Sequence, residues 1–362
     1  MTDFTTSRKY DIAAVSLLAL IALGGNASIA NAAEETCFSI PTPVISLGFG
    51  SRYEANSKTR SDLDDDSDAA VTKALKPIDL FIQNLAKQVT KAGKETDAAT
   101  RTEYQRCVIN AVYQWASANA LSDMKTDNAK LSVPSRVGGI AIAYAESRNQ
   151  VSGVADRQRV IEKWLLERAR ATVDFFDNDA TKGAARNNLR AWASLAVGEV
   201  GILNEDKPLT DWAILSNRTM IAGASTDGSL PLEMNRQQYA LHYQLHAMSP
   251  LVTSIARLCS AGYGKGGADL AKLATMANFS LNGVKDPTIV QKITGIKQTV
   301  KPGLKDNTSS LGWLEPYVAL SNDKKMESEF ADLRPLSNSK LGGDVTALYG
   351  NKRTSCVITA IR

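Results

Sequence analysis

Residues Asp227 to Pro250 read DGSLPLEMNRQQYALHYQLHAMSP and contain both histidines of the chain, His242 and His246. At about 100° per residue, Met234, Leu241, Leu245, Met248 and Val252 fall along one apolar stripe, which predicts a helix that buries one face. Arg236, Tyr239, Tyr243 and His246 fall on the other side. A face turned away from a core is ordinarily Lys, Glu and Gln, so a file of one guanidinium, two phenols and an imidazole reads as the wall of a polar cleft. The same file also reads as a solvated face with two aromatics, and the stretch alone leaves both open.

Outward from this segment the helical period dominates and the two-residue alternation of strands is almost absent. Helices are expected over 69–92 (with Pro77 as a break or kink), 101–123, 137–148, 156–176, 185–203, 210–222, 234–261, 267–277 and 288–294. Strand character is confined to 344–349 and 355–361. So many amphipathic helices in one chain must bury their stripes on one another, which predicts an all-α fold of stacked helical hairpins in an arc or toroid. No fixed-period repeat and no low-complexity linker divides the chain, so one domain is expected over 33–362.

Residues 1–32 are read as a secretory signal peptide: Arg8 and Lys9 precede an apolar run from Ile12 to Leu23, and Ala30-Asn31-Ala32 offers a cleavage site. The expected location is periplasmic or secreted, as a monomer with no membrane association after cleavage. Four cysteines, Cys37, Cys107, Cys259 and Cys356, are then expected in disulfides, with three connectivities open. They are too widely spaced for a CxxC site, and with two histidines neither a zinc site nor any cofactor is expected. The formal charge of +4 comes without a basic block, which argues against nucleic acid but suits an anionic ligand.

Other motifs carry less. The polar segment Ser51 to Asp68 carries five aspartates between Asp62 and Asp68 that lack the glycine and terminal glutamate of an EF-hand, and it reads as a solvated loop with N-capping aspartates before the next helix. Gly262 to Gly267 lacks the spacing of a phosphate loop and reads as a helix-to-helix turn. Glu315, in Trp313-Leu314-Glu315-Pro316-Tyr317, reads as a buried or capping acid near a proline stop. Asn187-Asn188, ahead of Arg190 and Trp192, reads as N-cap chemistry, although amides also donate to carboxylates.

Taken together and in order, several segments resemble the secreted alginate lyases of polysaccharide lyase family 5. These are Ser51-Arg52-Tyr53-Glu54, Asn187-Asn188 with Trp192, and Leu230-Pro231-x-Glu233 followed by Arg236, Gln238, Ala240-Leu241 and Tyr243. Gly283-Val284-Lys285-Asp286, Trp313 to Tyr317, and Leu341-Gly342-Gly343-Asp344-Val345-Thr346 continue the series. The resemblance implies an incomplete (α/α) toroid, a disulfide between Cys37 and Cys107, and cleavage of a uronate polymer by metal-independent β-elimination. Alginate is the first substrate it suggests, then glucuronan or an exopolysaccharide.

By position, the resemblance makes Tyr243 the base and then the acid, Arg236 the cation beside it, and Asn188 the group that neutralises the uronate carboxylate. Arg52, Tyr53, Arg190, Tyr239 and Lys340 are the expected substrate-binding residues. Arg236 and Tyr243, seven residues apart, would lie two turns up one face, and the cation would lower the phenol's pKa. The chain departs from the family at Leu189, where a histidine is expected, and keeps only the charge at Arg52 and Lys340. Three accounts of Leu189 stand open: Tyr243 acts alone, His246 supplies the imidazole, or the protein binds an anionic polysaccharide without cleaving it, as a secretion accessory would. A helical-toroid glycoside hydrolase is a further alternative.

Overall fold

The computed structural model describes residues 37–264 and 267–350. The expected signal peptide over 1–32, the expected strand over 355–361 and Cys356 lie outside the described residues. From Ser39 onward the chain forms one compact unit, and its helices make an incomplete (α/α) toroid.

The long helices are α1 (Asp65–Lys94), α2 (Ala98–Ser117), α4 (Pro134–Arg148), α5 (Ala155–Asp174), α6 (Asn188–Leu203), α7 (Lys207–Ala222), α9 (Ala240–Ser260) and α10 (Leu270–Lys285). Shorter ones are α3 (Asp127–Ser132), α8 (Pro231–Met234), α11 (Thr288–Thr294), α12 (Leu314–Ser321), α13 (Lys324–Phe330) and α14 (Val345–Tyr349). The short strands β1 (Ser46–Leu47) and β2 (Asp123–Met124) pair in parallel, and β3 (Ser337–Asn338) and β4 (Gly343–Asp344) antiparallel.

Helix α1 starts earlier than the periodicity suggests because the aspartates are its first turn. Asp64 accepts from Ser67 N at 2.8 Å, and Asp65, Asp66 and Asp68 face the positive end of the helix dipole. Pro77 does not end the helix, which runs on to Lys94. Expected strand 344–349 is mostly α14, capped by Asp344. Nor does Pro316 stop a helix; it sits in the first turn of α12, where its missing N–H costs nothing. Glu315 is buried against Arg334, whose Nε and Nη2 donate to it at 2.7 and 2.9 Å, so it is a core acid.

Helix α6 is the hub. It packs on α4, α5, α7 and α9, and of its residues only Leu189 and Ile202 are not buried. Below the cleft, Glu199 of α6 accepts from Arg257 Nε of α9 at 2.8 Å, and Arg257 also bonds Glu146 of α4. The two carboxylates hold the Arg257 guanidinium well above its usual range, against the opposing effect of burial. Three helices are tied by this cluster. Cys37, Cys107 and Cys259 are each disulfide-bonded.

Two glycine positions bring the C-terminal segment onto the toroid. A Cβ at Gly139 of α4 would lie 2.9 Å from Ser339 O and 3.1 Å from Lys340 Cα, so the glycine admits the backbone that carries Lys340. At Gly343, φ is +111°, a conformation that other residues rarely adopt, and a Cβ there would lie 3.0 Å from Ala86 O on α1.

Replacing Arg257 by Met leaves Glu199 as a buried, uncompensated charge, for which a loss of about 3–5 kcal/mol is expected. Urea unfolding reads it, and the double variant Arg257→Met/Glu199→Gln is expected to recover part of the loss. An unchanged midpoint in the single variant would show that the cluster does not fasten the helices.

Candidate active site

The opening segment is not one helix. Between α8 and α9 the chain makes a turn at Asn235 and a 3-10 turn over Gln237–Tyr239, with Gln237 at φ +55°. Buried Gln298 holds this break: its Nε2 donates to Gln237 O at 3.0 Å and its Oε1 accepts from Leu241 N, an otherwise unpaired donor at the start of α9, at 3.0 Å. The apolar stripe is buried as expected. Arg236, however, reaches Tyr243 by this turn and not along a helical face.

The turn stacks the Arg236 guanidinium 3.6 Å from the Tyr243 ring centroid and lets its Nη2 donate to Tyr53 Oη at 2.8 Å. Tyr53 Oη in turn hydrogen-bonds Tyr243 Oη. Arg236 Nη2 also donates to Arg60 O at 2.8 Å, and Gln238 Nε2 to Ser61 O at 2.7 Å. The segment around Tyr53, expected as a solvated loop, is thus pinned over the cleft.

Burial raises the pKa of the Tyr243 phenol and outweighs Arg236, which lowers it; Tyr53 adds to the rise. The expected net lowering by the cation is therefore not found, and Tyr243 in the free protein is a neutral phenol.

Three rings of α9 face the cleft. His246 Nε2 accepts from Trp192 Nε1 at 2.8 Å, so a neutral His246 carries its proton on Nδ1. Burial, then Lys340, His242, Arg136 and Arg236, hold its pKa well below the usual imidazole range. His242 stacks on it at 6.1 Å and 10° between planes, and meets Tyr243 edge-on at 5.1 Å. The His242 side chain is exposed to the cleft and has no hydrogen-bond partner among the described residues.

Asn188 opens α6 behind its cap, Asn187, which accepts from Leu189 N at 2.9 Å. Glu233 of α8 takes both the backbone N–H of Asn188 (2.7 Å) and its side-chain Nδ2 (2.9 Å), which fixes the amide at the cleft wall. Glu233 is only 1% exposed. Its burial pushes the pKa up to about 7, against the Asn188 hydrogen bonds and Arg236, which lower it.

These groups line a cleft of about 580 Å³. Arg52, Tyr53, Asn188, Arg236, Tyr239, Tyr243, His246 and Lys340 are all on it, together with Arg60, Arg136, Trp192, His242 and Leu189. Five of the lining residues are Arg or Lys and only Asp68, paired with Arg52, is a carboxylate. Such a concave basic wall focuses an attractive potential on an anion.

Arg190 is the exception among the expected residues. It points away from the cleft, where its guanidinium bonds Ser216 at 2.7 Å and Asp177 at 3.3 Å and stacks 3.9 Å from the Trp212 ring centroid. Its position, two residues on from Asn188, puts it about 200° round α6, which sequence spacing alone makes plain once the helix start is fixed.

The sequence model of the family described as Alginate lyase matches residues 61–290. An alginate lyase of Pseudomonas syringae pv. syringae is 30% identical over 326 residues, 87% of this chain and 83% of its own. One from Cobetia marina is 29% identical over 327 residues, 86% of this chain and 83% of its own. The chain belongs to the alginate lyase family. The crystal structure of alginate lyase A1-III from Sphingomonas species A1 superposes with a TM-score of 0.65, covering 86% of each chain at 20% identity, which speaks for the fold. Family and fold are those of a polysaccharide lyase.

Within this alginate lyase fold, Leu189 faces the cleft and adjoins a second cavity of about 680 Å³ that also contains Arg60, Arg236 and Lys58. Arg136, buried and bidentate to Asp79 at 2.9 and 3.0 Å, and His242 had no role in the sequence reading. No local signal marks Arg136. His242 sits about 40° from His246 on the helical wheel, so it shares the cleft-facing side of α9, whereas Arg236 lies in the turn before that helix.

Lys340 has no ion-pair partner among the described residues. Burial, with Arg136 next and Arg52 adding, lowers its pKa to about 8, while Asp79 opposes. It is therefore cationic below that pH and neutral above it. The KM for an anionic polymer is expected to rise as pH passes 8, and Lys340→Arg, which stays charged, is expected to flatten that rise. A parent KM that is constant between about pH 7 and 9 would contradict the assignment.

Proposed function

We propose that the protein is a polysaccharide lyase acting on a uronate polymer, with poly-mannuronate-type alginate as first substrate, by metal-independent β-elimination. The observation that carries this is the chain Arg236–Tyr53–Tyr243 beside Asn188 in a basic cleft. The C5 proton of a uronate is hard to remove because the adjacent carboxylate is already negative, so the site must stabilise enolate-like charge with fixed donors. Asn188, held by Glu233, and the Arg236 guanidinium are suited to that, and Tyr243, a phenol at neutral pH, is suited to protonate the departing glycosidic oxygen. The crystal structure of a variant of alginate lyase A1-III complexed with a tetrasaccharide, a fold match at TM-score 0.65, supports an oligosaccharide as the occupant of such a cleft. Export as a one-domain monomer behind residues 1–32 fits the sequence pattern and the bonded cysteines.

A second reading has one observation behind it. Leu189, where the family resemblance calls for histidine, can neither transfer a proton nor donate a hydrogen bond, and a protein that only binds the polymer would tolerate it.

Absorbance of the unsaturated uronate end, followed on a panel of uronans, separates the two. Product is expected from the parent, with a loss of at least about 10²-fold in kcat for Tyr243→Phe and binding retained. Tight uronan binding without any unsaturated product from the folded parent would overturn the lyase and favour the binding protein.

A further inference from the structure

We propose that His242 is the base of the elimination and Tyr243 its acid, so that two adjacent residues of α9 divide the two proton transfers. This rests on the lyase reading of the cleft and assigns the step that Leu189 cannot perform.

The inference follows from which lining groups are able to take a proton. Leu189 has none to exchange. Asn188 is fastened to Glu233, and Glu233 lies behind it, closed to the cleft. Asp68 is committed to Arg52. His246, the imidazole expected to substitute for the missing one, already accepts at Nε2 from Trp192 at 2.8 Å. His242 is open to the cleft, accepts from nothing among the described residues, and touches the Tyr243 ring edge-on at 5.1 Å.

The partner role of Tyr243 follows from its own contacts. Arg236 donates to Tyr53 Oη, so Tyr53 can give its hydroxyl hydrogen to Tyr243 Oη and leave the Tyr243 proton for the cleft. The environments also push the two groups apart. Burial raises the phenol, while crowding in the concave wall and then Arg236 lower the imidazole, so the neutral form of each prevails near neutrality. Titrating groups held apart in this way are the usual mark of an acid and a base in one site. The charged groups facing His242 are Arg236 before the helix, Lys340 and Arg136 across the cleft, and the Arg52–Asp68 pair; Tyr243 and His246 are its titratable neighbours on α9.

In the step itself, a neutral His242 nitrogen takes the C5 proton. The electrons of that bond form the C4=C5 double bond, the C4–O bond breaks, and the leaving oxygen takes the Tyr243 proton. The imidazolium and phenolate that remain are neighbours, and transfer of one proton from His242 to Tyr243, directly or through water, restores both. No co-reactant is required. Both groups project from one wall, so they serve a C5 proton and a C4 oxygen on the same side of the sugar ring.

His242→Gln and His242→Ala test the assignment on a uronan the parent cleaves. The expected result is a fall in kcat of about 10²–10⁴-fold with KM within about threefold, loss of the acidic limb of the kcat/KM profile, and partial rescue of His242→Ala by added imidazole. Thermal unfolding of the exposed-site variants, expected to match the parent, separates this from misfolding. If His242→Gln keeps kcat within about threefold and an unaltered pH profile, Tyr243 performs both transfers and the assignment is wrong. A parent that makes no unsaturated product from any uronan overturns the lyase reading and this assignment together.

Discussion

The guanidinium of Arg236 is the contact on which the cleft depends. It lies against the Tyr243 ring, donates to Tyr53, and ties the carbonyl of Arg60, so one side chain joins the pinned loop, the turn before α9 and the ring at the centre of the site. A cation over a phenol is worth about 0.5–2 kcal/mol, and each charge-assisted hydrogen bond about 1.5–3 kcal/mol. Those energies offset a left-handed Gln237, a conformation that costs on the order of 1–3 kcal/mol in a non-glycine residue. The buried Gln298 completes the arrangement by occupying the polar groups that the helix break exposes.

Electrostatics in the cleft are set by competition between crowding and charge. Five cations draw an anionic chain in, yet the same crowding favours the uncharged form of each titrating group: it moves the phenol of Tyr243 up, the imidazoles of His242 and His246 down, and the Lys340 ammonium, still charged at neutral pH, down to about 8. A cation beside a phenol was expected to dominate. Burial of the phenol outweighs the guanidinium stacked on its ring, and the hydroxyl of Tyr53 adds to the rise.

Much of this was legible in the sequence, and the failures are local. The apolar stripe from Leu241 to Val252 reports a real core face because burial repeats with the helical period, and the aspartates before α1 report a real cap. The break at residues 235–239 left no mark, because Asn235-Arg236-Gln237-Gln238-Tyr239 contains neither Gly nor Pro and the feature that enforces it, Gln298, is some 60 residues away. Arg190 looked like a ligand because it is basic and near Asn188, whereas its charge is consumed by Asp177 and Trp212. The segment 344–349 alternates like a strand, but its Asp344 caps a short helix after two glycines that only the packing on α1 and α4 explains. Tertiary contacts, not propensity, decided each of these.

Elimination and hydrolysis differ by one water, and this difference tests the central claim most directly. Mass spectrometry of oligouronates cut by the parent in water enriched in heavy oxygen should show new chain ends that are unsaturated, lighter by one water than a hydrolysis product, and free of label. Saturated new non-reducing ends, on products heavier by one water and with no unsaturated product beside them, would contradict a lyase and assign the cleft to a hydrolase.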